Sequence, residues 1–319
     1  MTHYGYSTGA IAKDDIDTAL ACLRSTRSRA VEFSALRLHE LRGVLDNVLR
    51  RDTSDFQYRS FHVPSRFTPD DEAHVLEAIR PVIRAGWPVI VHPDVIYRPE
   101  RWQWLGALLL IENMDRRKPI GRDADELEPL FASLPEAGLC FDLAHARQVD
   151  STMTEAYRII HRFGDRIRQI HLSDVDDRSA HQMLTIPALN AFIKVIPFIR
   201  TQPAVILEAP VPSCREVPEQ VMMARLLFAA AAVRQVHRSG KAQNQCIHRS
   251  TRDAGLAVHG EPLCAQANDL ELTDVLRDLS QQWNTPDRES YWHYLRQTFF
   301  TTAGISGPLI AEAEAYRTQ

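Results

Sequence analysis

Short apolar runs alternate with helix-periodic segments along residues 1–238. In the segments between the runs, apolar residues recur at helical spacing, as Ile16, Ala19, Leu20 and Leu23 do after the acidic pair Asp14-Asp15. This alternation is typical of βα units and predicts a parallel sheet. The runs that we interpret as strands are 3–8, 30–33, 56–63, 88–92, 108–112, 139–141, 167–170 and 204–207.

The clearest strand candidate is Pro88-Val89-Ile90-Val91-His92-Pro93, in which β-branched residues lie between two prolines. About eight such units imply closure into a (β/α)8 TIM barrel over residues 1–238. An open doubly wound sheet is the alternative, but it usually has fewer strands. The first strand candidate is also not followed by the Gly-x-Gly-x-x-Gly turn of dinucleotide-binding sheets.

Residues 239–319 have a different pattern, with a polar beginning and later apolar-periodic segments near 270–279 and 291–300. We interpret them as a mostly helical C-terminal extension that packs on the barrel, or that serves contact with a protein partner or a second copy. Trp283, Trp292 and Phe299 fall within helical periodicity, which favours core positions for them.

The composition excludes some classes of protein. With 45% hydrophobic and 24% charged residues and a net charge of −4, the chain predicts no long disorder and no overall attraction to nucleic acid or anionic membrane. The five cysteines, Cys22, Cys140, Cys214, Cys246 and Cys264, show no CxxC spacing and are expected to be free thiols in a reducing compartment. No leader-like N-terminus and no run of about 18 apolar residues is visible, so we expect a cytoplasmic protein without membrane contact.

Most of the later strand candidates end in a side chain that can bind a metal. In a parallel barrel the carboxyl ends of all strands open into one mouth, so these side chains are expected to meet there. Imidazole nitrogens together with carboxylate oxygens suit zinc, manganese or iron better than calcium or magnesium. The residues at or just beyond strand ends are His62, His92, Glu112, Asp142, His171 and Glu208, and His145 and His181 lie a few residues into the following loops.

These residues resemble the pattern of the xylose-isomerase-like barrel superfamily, which contains endonuclease IV enzymes and many sugar isomerases and epimerases. The resemblance covers about residues 1–238. In the sugar epimerases, the Glu, Asp, His and Glu that end strands five to eight bind one divalent metal and include the acid/base carboxylates. The corresponding residues here are Glu112, Asp142, His171 and Glu208.

Further positions resemble the endonuclease IV branch. There, histidines on strands three and four join the Glu of strand five at a second metal, as His62 and His92 would with Glu112. The Asp-x-x-His of that branch matches Asp142 to His145. Its Asp-x-His element for a third metal is imperfect here, because Asp177 and His181 lie four residues apart. The resemblance therefore implies two or three divalent ions, zinc, manganese or iron, with Glu112 and Glu208 as the catalytic residues.

Arginines in the predicted loops would form a basic rim on an acidic protein, which indicates a phosphate-bearing substrate. The candidates are Arg66, Arg116, Arg147 and Arg178, with Arg117, Lys118 and Arg122 nearby. The leading hypothesis is endonuclease IV-like hydrolysis of a phosphoester, in a small molecule or abasic nucleic acid. The alternatives are a single-metal sugar or sugar phosphate isomerase or epimerase, and a multi-iron oxidase that modifies peptides. The number of bound metals would distinguish one ion for an isomerase from two or three for the others.

Overall fold

The computed structural model describes residues 2–13, 15–26, 28–232, 272–279, 289–305 and 307–315. Its strands are β1 Tyr4–Ser7, β2 Ala30–Ser34, β3 Tyr58–His62, β4 Val89–Val91, β5 Leu109–Glu112, β6 Gly138–Asp142, β7 Ile167–Leu172, β8 Asp174–Val175, β9 His181–Gln182 and β10 Ala204–Leu207. Eight of them close into a parallel barrel in the order β1-β10-β7-β6-β5-β4-β3-β2. The predicted (β/α)8 barrel is thus confirmed, and β8 and β9 add an antiparallel hairpin after β7.

The helices surround this barrel. They are α1 Thr8–Ala12, α2 Ile16–Ser25, α3 Leu41–Leu49, α4 Glu72–Ala78, α5 Arg80–Arg84, α6 Ala124–Ser133, α7 Leu143–Val149, α8 Thr154–Phe163, α9 Ile186–Phe192, α10 over 217–232, α11 over 272–279, α12 Glu289–Leu295, α13 Thr301–Ala303 and α14 Gly307–Ala315. A π-helical turn, Arg296–Phe300, joins α12 to α13. The short α1 and α7 were not expected from the apolar periodicity. Among the described residues, no helix is both long enough and apolar enough to cross a membrane.

Alternation along the strands separates two apolar regions. Val89 and Val91 belong to the large core between strands and helices, whereas Ile90 packs with Leu110 and Cys140 in a separate buried cluster inside the barrel. Because side chains of a strand alternate between its two faces, the next inward positions on β4, β5 and β6 are His92, Glu112 and Asp142. The apolar plug inside the barrel therefore places these three residues directly above it, at the carboxyl ends of their strands.

The described helices of the C-terminal region share the core of the barrel. Trp292 and Phe299 are 2% and 0% exposed and belong to the same apolar cluster as the helices around the barrel. Their predicted core positions are therefore confirmed, while Trp283 lies outside the described residues. The predicted division at 238/239 also falls outside the described part of the chain.

The expectation of free cysteines is wrong for two of the five. Cys22 on α2 forms a disulfide with Cys214, which precedes α10. The two residues are 192 positions apart in sequence, and barrel closure brings them together because β1 and β10 are neighbours. Cys140 is free and buried, and Cys246 and Cys264 lie outside the described residues. The cysteines consequently give no support to a reducing compartment.

A buried carboxylate fixes the long connection between β4 and β5. Glu72, fully buried at the start of α4, accepts hydrogen bonds through Oε1 from the backbone N–H groups of Tyr97 and Arg98 at 2.8 and 3.0 Å. The indole Nε1 of Trp102 donates to the same oxygen at 3.0 Å. One side chain thus satisfies three donors that burial would otherwise leave unpaired.

We expect Glu72→Ala to lower the free energy of unfolding by about 3 kcal/mol, because it leaves buried N–H groups without an acceptor. Urea denaturation of the metal-free protein would measure this. Glu77→Ala on the same helix is the matched control, since Glu77 is exposed and pairs with the exposed Arg80; its effect should stay within about 0.5 kcal/mol. Equal unfolding midpoints for the two variants would contradict this role of Glu72.

Candidate metal centre

The inward residues at the carboxyl ends of the barrel strands form a ring of polar side chains. On β1 and β2 these residues are Ser7 and Ser34, whose hydroxyls hydrogen-bond to each other at 2.7 Å. The other six strands contribute the predicted ligands, His62, His92, Glu112, Asp142, His171 and Glu208. The barrel therefore brings together all six residues that the sequence indicated at strand ends.

Glu112 lies between two separate sets of side chains. Its Oε2 is 3.1 Å from Nε2 of His62 and 3.3 Å from Nε2 of His92. Its Oε1 is 3.3 Å from Nδ1 of His171, and that nitrogen is also 3.3 Å from Oε2 of Glu208. Each carboxylate oxygen of Glu112 thus faces a different set of candidate ligands, as a carboxylate that bridges two cations would.

Three groups of candidate ligand atoms can be distinguished, with the atoms of each group within 4.8 Å of one another. They consist of His62, His92 and Glu112; of Glu112, Asp142, His171 and Glu208; and of Asp142, His145 and His181. Glu112 and Asp142 each belong to two groups. His145 lies in α7 and His181 in β9, so both occupy regular structure instead of the predicted loops.

Hydrogen bonds on the far side of two imidazoles leave the other ring nitrogen directed at the site. Nδ1 of His62 donates to the carbonyl oxygen of Val63 at 2.7 Å, while its Nε2 lies 3.1 Å from Oε2 of Glu112. Nδ1 of His181 is 2.7 Å from the hydroxyl of Ser173. Such bonds fix the tautomer and orient the remaining lone pair, which is the arrangement of metal-binding histidines.

Asp142 is held in place by its backbone and by one of its oxygens. The side-chain Oδ1 of Asn113 accepts from the backbone N–H of Asp142 at 2.7 Å. The Nδ2 of the same side chain donates to the backbone carbonyl of Asp142 at 2.9 Å. Oδ1 of Asp142 accepts from the backbone N–H of His145 at 2.7 Å and thereby caps α7. Its Oδ2 is buried and has no hydrogen-bond partner among the described residues. A buried carboxylate oxygen without a donor fits direct coordination of a cation.

Glu32 is a functional residue that the sequence interpretation missed. It lies in the middle of β2, is fully buried, and its Oε2 is 3.1 Å from Nε2 of His171. Gln169 donates to the same oxygen at 2.6 Å. His171 can therefore donate through Nε2 to Glu32 while its Nδ1 faces Glu112 and Glu208, which is the carboxylate–histidine–metal arrangement. The signal in the sequence was an acid within the otherwise apolar run Ala30 to Phe33.

The carboxylates and imidazoles of the site shift one another's pKa. Burial alone would raise the pKa of Glu112, but the neighbouring imidazoles, that of His171 first, hold it well below its usual range. Burial alone would lower the pKa of His62, but the hydrogen bond and charge of Glu112 raise it to about 9. Burial does raise the pKa of Glu208 and lower that of His92. Protons on buried histidines thus compensate the charge of the buried carboxylates in the metal-free protein.

The donor set fits divalent cations. Three carboxylates, Glu112, Asp142 and Glu208, lie together with His171 in one group of candidate ligands. Glu32 orients that imidazole from behind. Cations bound among them would replace the protons on the histidines. Nitrogen and oxygen ligands together favour zinc, manganese or iron.

The site opens into a cavity of about 440 Å³. Among its lining residues are three cations, Arg66, Arg117 and Lys118. Of the arginines predicted to bind phosphate, Arg66 lines the cavity, whereas Arg116, Arg147 and Arg178 do not. Arg116 donates to the carbonyl of Asp177, and Arg147 is ion-paired with Asp174. These two arginines brace the connection after β7, and the placement of Arg178 gives it no contact with the cavity.

Comparison with known proteins gives matches of structure only. No family model matches the sequence, and no curated protein matches it. The chain is similar to a xylose isomerase domain protein from Planctomyces limnophilus, at 13% identity and a TM-score of 0.45, covering 70% of this chain and 93% of that one. It is also similar to SacUVDE, at 9% identity and a TM-score of 0.42, covering 71% and 98%.

A third similar structure is a xylose isomerase-like TIM barrel protein from Mycobacterium smegmatis in complex with magnesium. The identity is 12%, the TM-score is 0.45, and the match covers 72% of this chain and 97% of that one. The assignment of this chain as a barrel rests on its own closed sheet, and the chemistry of its site rests on the distances given above.

We expect metal uptake to release protons, because at pH 7 the metal-free His62, with a pKa of about 9, carries the proton that a cation must displace. Metal affinity should therefore rise as the pH is raised from 6.5 towards 9. Titration calorimetry with MnCl₂ in Tris and in Hepes at the same pH would count the released protons. His62→Gln should release about one proton fewer per chain, and a heat of binding that is identical in both buffers would contradict the prediction.

Proposed function

We propose that the protein is a divalent-metal-dependent hydrolase of phosphate esters, acting in the manner of endonuclease IV. The observation that carries this proposal is the position of Glu112, whose two oxygens face two different sets of ligands. A carboxylate between two cation sites is the arrangement of two-metal phosphoesterases.

Each group of candidate ligands can be assigned to its own cation. His62, His92 and Glu112 would hold one ion, and Glu112, Asp142, His171 and Glu208 would hold a second. Asp142, His145 and His181 would hold a third or hydrogen-bond the phosphate. When bound, such cations neutralise charge on the phosphate oxygens and make water acidic enough to ionise near neutral pH.

Hydrolysis of a phosphate ester forms a bond from a water oxygen to phosphorus, breaks the bond to the ester oxygen and transfers one proton to the leaving oxygen. The attacking water supplies that proton, and Glu208, which lines the cavity 3.3 Å from Nδ1 of His171, would hold the second cation. Arg66 lines the same cavity and can donate to the phosphate. Glu32 keeps His171 in the required tautomer.

The isomerase alternative needs only the second of these groups, with Glu112 and Glu208 moving a proton between neighbouring carbons. It gives no role to His62 and His92, yet both nitrogens approach Oε2 of Glu112 within 3.3 Å. This pair favours hydrolysis. The peptide-modifying oxidase would use the same side chains with iron, so elemental analysis separates it: iron with an oxygen-dependent colour change would support that reading.

We expect His92→Ala to lower the metal content by about one ion per chain and to abolish hydrolysis of p-nitrophenyl phosphate. Plasma mass spectrometry of the purified protein would count the metal, and circular dichroism would check the fold. His74→Ala is the matched control, because His74 is exposed on α4 and does not line the cavity. Unchanged metal content and activity in His92→Ala would refute the assignment of this group.

We expect Glu112→Gln to be more damaging than either His62→Ala or His92→Ala, because it weakens the hold on two ions at once. The metal content should fall by more than one ion, and kcat/KM should fall at least about 100-fold. The same assays would measure both quantities. A variant that keeps full activity would remove the bridging carboxylate from the mechanism.

A further inference from the structure

The mouth of the barrel is divided into two chemically different halves. The strands β10, β1 and β2 are consecutive around the barrel. The cavity-lining residues that follow them are small or apolar, apart from the ligand Glu208 and the serine pair: Gly9, Ala10, Ala35, Leu36 and Pro210. The cations of the described lining lie on the other side of the mouth, after β3 or β5. They are Arg66, Arg117 and Lys118.

Two of these three cations are already neutralised. The guanidinium of Arg117 is 3.1 Å from Oδ2 of Asp115, and Nζ of Lys118 is 2.8 Å from Oδ2 of Asp94. Arg66 is exposed and makes no ion pair with any described residue. Among the described residues, the lining therefore offers one uncommitted positive side chain, enough for a single phosphate group. A nucleic acid strand, in contrast, is held by several cations that contact successive phosphates.

The apolar half presents an exposed leucine to the cavity. Leu36 is 47% exposed although it lines the site, and Ala10 and Pro210 line the same cavity. Gly9 permits this position, because a Cβ there would lie 3.0 Å from Cδ2 of Leu36 and 3.3 Å from Cβ of Ser34. Leu36 is thus packed closely against α1 while part of its side chain stays open to the cavity.

The size of the cavity limits its occupant. About 440 Å³ is within the range of small-molecule sites and is shared with any bound cations. The unpaired Arg66 and the adjoining apolar wall fit a small amphipathic ligand with a single phosphate better than they fit a polymer.

We propose, on the basis of the phosphoesterase function above, that the substrate is a small phosphate monoester whose alcohol part is apolar. Its phosphate lies at the ligand cluster and Arg66, and its apolar part covers Leu36, Ala10 and Pro210. Water adds to phosphorus, the ester P–O bond breaks, and the leaving oxygen takes the proton. The products are inorganic phosphate and an apolar alcohol.

Two non-hydrolysable probes of equal charge test the apolar half. On the metal-loaded protein, calorimetry should show phenylphosphonate binding about 10-fold tighter than methylphosphonate, because only the phenyl group covers the apolar wall. Leu36→Asn should remove this preference and leave methylphosphonate binding within about 2-fold of its original value. Arg66→Gln should weaken both probes by a similar factor, about 10-fold, because both carry the anion that it binds.

Ile120→Asn is the matched control, since Ile120 is also exposed but does not line the cavity; it should leave both affinities unchanged. Equal binding of the two phosphonates by the unmodified protein would refute the apolar subsite. Tighter binding of a tetrahydrofuran-containing oligonucleotide, with a steep salt dependence, would replace it with a nucleic acid site. If neither phosphonate binds while the metals are present, the proposed hydrolase function itself is wrong.

Discussion

The concentration of buried carboxylates at one end of the barrel is the constraint on which the site depends. Glu32, Glu112 and Asp142 are at most 1% exposed, and Glu208 adds a fourth acid beside them. Uncompensated, each buried charge would cost several kcal/mol. The imidazoles supply the compensation, which is why the pKa values of His62 and His171 are raised and that of Glu112 is depressed. Without metal, protons on the imidazoles must balance the charge of the carboxylates. Divalent cations could take the place of these protons, because they supply the same compensating charge.

Sequence patterns predicted the barrel and the ligand ring for a single physical reason. Inward and outward positions alternate along each strand, so a buried run that ends in His or Glu, as 88–92 and 108–112 do, places that residue in the mouth. The closure of the sheet then brings the ends together without further information. The positions of the six residues at strand ends could therefore be predicted from the sequence, together with the parallel barrel itself.

The features that were missed depend on which elements become neighbours in space. Cys22 and Cys214 pair because β1 lies beside β10, which spacing along the chain does not show. Glu32 looked like an acid on one face of an ordinary strand, and its contact with His171 exists only across the barrel. The arginines were counted as free charges, but Arg147 of α7 pairs with Asp174 of β8. Charge balance between loops cannot be deduced until the loops are placed.

The two serines explain why the site is asymmetric. Ser7 and Ser34 occupy the ring positions of β1 and β2 and satisfy each other, so this side of the mouth carries neither a charge nor an imidazole. The candidate metal ligands are consequently confined to the remaining strands, and the two serines line the cavity. If metal ligands surrounded the whole ring, bound cations would occupy the entire mouth of the barrel. Here the side of the mouth at β1 and β2 is uncharged and lies next to the ligand cluster. Specificity for the organic part of a substrate can therefore be set by the loops after β1 and β2, at positions that do not bind metal.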